Sequence, residues 1–77
     1  MNLGERLERS PDVLGGQPVV RGTRVPVRAL VGSLAGGMTL EQVCASYRVA
    51  VEDVRAALSY AVELLDEDRA LGTAPAR

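Results

Sequence analysis

The side chains best equipped for chemistry in this chain are arginines. Within "RGTRVPVR" the residues Arg21, Arg24 and Arg28 place three cations in eight positions. A planar guanidinium pairs bidentately with phosphate or carboxylate, so such a cluster suits a nucleic-acid backbone or the acidic surface of a protein partner. Arg24 sits inside the tight block Gly22-Thr23-Arg24-Val25-Pro26. There a geometric role is expected, with Arg24 bonding backbone carbonyls or a helix C-terminus to fix the turn and Thr23 closing it. Arg21 and Arg28 are expected to be exposed.

Catalysis has little to stand on. The chain has no His, no Lys and a single Cys, and the adjacent carboxylates Glu52 and Asp53 point to different sides of a helix. No nucleophile–base pair can be drawn, so the expectation is a protein that is not an enzyme and uses no cofactor and no metal. Cys44 reads as a small buried hydrophobe, without a disulfide or zinc partner.

These arginines must be positioned by a small scaffold. Seventy-seven residues form one domain, which at this size buries only about 60% of the surface its unfolded chain exposes. With no Trp, no Phe and only Tyr47 and Tyr60, the core is built from Val, Leu and Ala, and help from a second subunit or partner is expected. A net charge of −1 offers no overall attraction to nucleic acid or to an anionic membrane. No apolar leader or membrane-length apolar run is present, so a cytoplasmic setting is expected.

Residues 1–12 are polar and form an N-terminal arm, with Leu3 and Leu7 permitting either a helical turn or a strand laid along the domain. Residues 13–68 are the folded unit. Val13-Leu14 reads as a short extended piece before Gly15-Gly16. Val19-Val20 and Arg24-Val25 are β-formers joined by Arg21-Gly22-Thr23, a three-residue hairpin connection in which Gly supplies positive φ. Pro18 opens the first strand, and Pro26 presets the entry to a helix. Val27, Leu30, Val31 and Leu34 make one helical stripe, ended by Gly36-Gly37. Thr39 and Gln42 form a capping box for a helix over 40–47. After residues 48–50 a third helix runs over 51–68, with Val51, Val54, Leu58, Ala61, Val62 and Leu65 as its expected inner face. Residues 69–77 form a small, polar tail. The fold class is mainly α, a small N-terminal β-hairpin followed by a three-helix, helix-turn-helix-like bundle.

Tyr60 and Leu64 lie beside that inner face. They read either as an anchor for a symmetry mate or protein partner, or as residues covered by the arm through Leu3 and Leu7. The helix 40–47, short turn and helix 51–68 have the spacing of a helix-turn-helix, and an αα corner packs the same way without DNA. Arg48 and Arg55 are the cations beside the recognition position. The acidic first turn, Glu52 and Asp53, opposes phosphate there, so binding by that helix alone would be weak and salt-sensitive.

The stretch from Ser10 to Ala61 resembles a bacterial domain-of-unknown-function family, number 433, whose pattern runs Gly-Gly-x-Pro-x-[IV]-x-Gly-Thr-Arg-[IV]-Pro-[IV], a helix, Gly-Met-[ST], then Tyr, Glu-Asp-[IV] and Ala-Leu. Here the least probable block is Gly15, Gly16, Pro18, Gly22, Thr23, Arg24 and Pro26. Two positions depart from the pattern: Ala50 replaces the usual Ser or Thr cap of the last helix, and Arg48 replaces a proline. The missing cap weakens that helix start by about 0.5–2 kcal/mol unless Glu52 or Asp53 compensates. The resemblance implies an antitoxin of the VapB kind that binds and neutralises a PIN-like ribonuclease toxin and autoregulates its operon DNA, while the thin core and the broad apolar arc of the third helix lead us to expect a homodimer or higher oligomer. The alternative is a stand-alone helix-turn-helix transcriptional regulator.

Overall fold

The computed structural model describes residues 4–70, with side chains as far as Glu67 in the last helix. In chain order it has β1 (Leu7–Glu8), a 3-10 turn (Leu14–Gly16), β2 (Val19–Val20), α1 (Val27–Ala35), α2 (Leu40–Tyr47) and α3 (Val51–Ala70). It is mainly helical, with a two-stranded antiparallel sheet at the N-terminal side, as the sequence predicts.

The sheet is assembled differently in detail from the expected hairpin. β2 pairs with the arm strand β1, Leu7 opposite Val20 and Glu8 opposite Val19. Arg24-Val25 contributes a turn closure, Val20 N–H donating to the Val25 carbonyl at 2.9 Å, and a single bridge joins Val19 to Pro26. The reason is local: Pro26 has no amide to extend a ladder and starts a helix instead, leaving the other edge of β2 to the arm. Val13-Leu14 is likewise not an extended pair, since Leu14 opens the 3-10 turn at φ 50°.

The helix boundaries follow their local chemistry. Pro26, at φ −77°, stands immediately before α1. Gly37, at φ 108°, ends α1 in a Schellman arrangement, with Met38 N–H bonded to the Ser33 carbonyl and Gly37 N–H to Leu34. The Thr39–Gln42 capping box forms in both directions, at 3.1 and 2.9 Å. α3 lacks a Ser or Thr cap, and Asp53 compensates: its carboxylate accepts from the Ala50 N–H at 2.9 Å and pairs with Arg6 at 2.9 Å.

The core consists of Leu7, Val19, Val20, Val27, Leu30, Val43, Val54 and Ala57. Every member is aliphatic, and one comes from the arm. Tyr60 and Cys44 are half-buried against it. The Ser33 and Tyr47 hydroxyls, 2.8 Å apart, tie α1 to α2. Among the described residues no helix is long and apolar enough to cross a membrane.

The inner face of α3 differs from the expected one. Val54 is buried and Ala61 half-buried, as predicted, but Val51, Leu58, Val62 and Leu65 are exposed, and Ala57 and Tyr60 take the inner positions. Ala57 has no side chain beyond Cβ, which lets α3 approach α1 and the sheet closely. The bulkier residues one position along are thereby turned outward.

Candidate protein-interaction surface

The Gly-Gly-x-Pro and Gly-Thr-Arg-Val-Pro block is structural. Gly15, Gly16 and Gly22 hold φ of 66°, 88° and 78°, a region that L side chains rarely adopt. The Pro18 carbonyl accepts from Val27 N–H at 2.9 Å, pinning the start of α1 to the sheet. Thr23 closes the turn as expected, its hydroxyl 2.7 Å from the Val20 carbonyl and 3.0 Å from the Val25 amide.

Arg21 is exposed, as expected, but it also takes the carbonyl-binding role expected of Arg24. Arg21 is the carbonyl binder: Nε lies 2.7 Å from the Glu5 oxygen, and the terminal nitrogen Nη2 lies 2.6 Å from Gly4 and 3.3 Å from Leu7. It also meets Glu8 at 3.4 Å. Its planar fork thus clamps the backbone of the arm while part of the side chain stays in solvent. Arg24 is exposed and bonds no carbonyl among the described residues. Its neighbours Thr23 and Val25 already satisfy the turn, so nothing remains for a guanidinium to bond.

The remaining cations are dispersed. Arg28 is exposed on α1, its Nε 3.1 Å from the Gln17 side-chain oxygen. Arg48 is exposed between α2 and α3 in a left-handed conformation, φ 57°. Arg55 is exposed on the outer side of α3. Arg21 and Arg48 line one depression together with Arg6 and Asp53, whereas Arg28 lines another. Arg21 and Arg28 thus face different depressions, and Arg24 lines neither of these two.

Arg28's depression is the more distinctive surface. It is a groove of about 370 Å³ between α1 and α3, lined by Gln17, Pro18, Val27, Arg28, Val31, Tyr60, Ala61 and Leu64. Its wall is apolar apart from Gln17, Arg28 and the Tyr60 hydroxyl. Tyr60 and Leu64, expected together as an interface anchor, both line this groove but differ in exposure. The Tyr60 ring packs on the core with its hydroxyl 2.6 Å from an Arg9 guanidinium nitrogen, so the arm holds it. Leu64, 46% exposed, remains available. Leu3, the other proposed cover, is outside the described residues.

The sequence profile of the family described as "Protein of unknown function (DUF433)" matches residues 7–61, from β1 to the third turn of α3. The chain belongs to the DUF433 family. A DUF433 member from Anabaena variabilis, known from a crystal structure, superposes with a TM-score of 0.74 at 31% identity, over 88% of this chain and 69% of the other. Rv2018 of Mycobacterium tuberculosis superposes with a TM-score of 0.62 at 35% identity, over 68% of this chain and 24% of that one. An uncharacterized protein of Sinorhizobium fredii (strain NBRC 101917 / NGR234), y4eO, is 45% identical over 58 residues, which are 74% of this chain and 26% of the relative. The DUF433 chain described here thus spans about a quarter of both longer relatives. The profile begins at the arm strand, which agrees with Leu7 being a core residue, and stops before Val62, Leu64 and Leu65.

Proposed function

We propose that this DUF433 protein is an antitoxin-like binding module that docks on and neutralises a PIN-like ribonuclease, using the groove between α1 and α3. The observation that carries this reading is the groove itself, an apolar trough with exposed Leu64 at one end and Arg28 on its rim. Apolar pockets beside a cation suit an apolar anchor from a protein with acidic groups nearby. A nuclease built on a cluster of carboxylates is a partner of that kind. The functional class rests on what the resemblance of the 10–61 stretch to the DUF433 family implies, an antitoxin role.

A second reading, DNA binding by α2 and α3, is favoured by exposed Arg48 and Arg55 around the inter-helix turn. Asp53 weighs against it, because the carboxylate caps the helix start that a phosphate would otherwise approach. Operon autoregulation would then need several copies of the module held together.

Co-expression with the product of a neighbouring nuclease gene tests the first reading. The expected result is co-purification that survives Arg48→Ala with Arg55→Ala and is lost in Leu64→Glu. Failure of the wild-type protein to co-purify would reject it, and specific operator retention by the free protein would favour the second.

A further inference from the structure

α3 carries a second apolar surface that the groove does not use. Leu58, Val62 and Leu65 are 39%, 56% and 66% exposed and follow one another at intervals of four and three residues, which is one stripe of a helix. Its exposure rises along the helix toward the last described turns of α3. Helical turns without tertiary packing are marginal in water.

The charges beside this stripe select its occupant. Arg55 and Asp66 are both exposed and stand eleven residues apart, close to three full turns, so they occupy the same flank. The point midway between them, at positions 60–61, lies within half a turn of the stripe's centre near residue 62. If a second copy of α3 is laid antiparallel across the first about positions 60–61, Arg55 of each chain falls opposite Asp66 of the other, and Leu58 meets the region of Val62. In a parallel pair the same flank of the two helices falls on opposite sides of the seam, so these opposite charges would not meet. From this pattern we infer that two copies of the protein associate through an antiparallel α3–α3 contact, with reciprocal Arg55–Asp66 pairs at the two ends of an apolar seam. Each helix end then rests on the first turns of its partner's α3. The contact is separate from the α1–α3 groove, and it covers Arg55, one of the cations available to DNA.

Sedimentation equilibrium of the intact protein over a wide concentration range tests the inference. The wild type is expected to show a reversible monomer–dimer equilibrium. Arg55→Asp and Asp66→Arg should each weaken the dimer about tenfold, since two symmetry-related pairs become repulsive, each changed by several tenths to about 1 kcal/mol. The double variant Arg55→Asp/Asp66→Arg should regain wild-type affinity, because the pairs are re-formed with signs exchanged. Val62→Glu should give a monomer whose circular dichroism matches the wild type over the folded body. A wild type that stays monomeric overturns the inference. So do single charge variants without effect, or a double variant no better than the singles. None of these outcomes bears on nuclease co-purification, so the two proposals fail separately.

Discussion

Gly22 carries the turn of the opening motif at φ 78°, and its amide donates to a Glu8 carboxylate oxygen at 3.0 Å. A Cβ there would meet open space, so the cost of substitution is conformational and not steric crowding. Gly22→Val should lower stability by about 1–2 kcal/mol, as for any L-residue forced into the left-handed region, and thermal unfolding at an unchanged midpoint would contradict this. Arg48 presents the opposite case, an arginine already in that region at φ 57°. Arg48→Gly should raise stability by about 1 kcal/mol, or several degrees in Tm for a domain of this length. A lower Tm would show that the Arg48 side chain contributes more than its backbone costs. The carbonyl-binding role of Arg21 was not legible in the sequence, because the carbonyls that Arg21 binds belong to an arm whose path no pattern announces.

Among the elements, the helices were legible and the strands much less so. α1 and α2 are short amphipathic runs with a proline, a glycine pair and a capping box at their ends, and each boundary signal has one local cause. β1 and β2 are two residues each, too short for an alternating pattern to register, so only contact between arm and domain defines them. α3 is legible as a helix but ambiguous in rotation, since Val, Leu and Ala lie around most of its circumference and the choice of small Ala57 for the inside defeats a count of bulky residues. The resulting division can be tested within one helix. Tyr60→Glu would place a carboxylate against the core and break the bond to Arg9, and it should unfold much of the population. Leu64→Glu, at a half-exposed site, should leave the circular dichroism spectrum and Tm nearly unchanged. Equal tolerance of both would mean that Tyr60 is not part of the core. β1 is tested by Leu7→Ala, expected to cost about 2–5 kcal/mol as a large-to-small change in a buried site.

For the molecule as a whole, that loss is decisive because a chain of this length holds only about 4–12 kcal/mol of net stability. A net charge of −1 leaves little for a broad electrostatic function, and the role proposed above is contact with another protein through a defined apolar surface. The class of that partner came from the resemblance of a motif that itself proves structural, while the groove is formed by residues from two helices and the segment before β2 and is visible only once they are brought together. The direct measurement is titration of a PIN-like ribonuclease with this protein while its ribonuclease activity is followed. Cleavage should fall to background near stoichiometric protein, and a folded Leu64→Glu variant should leave most of the activity intact. Undiminished cleavage in an excess of the wild type, or inhibition by Leu64→Glu equal to that of the wild type, would contradict the proposed role.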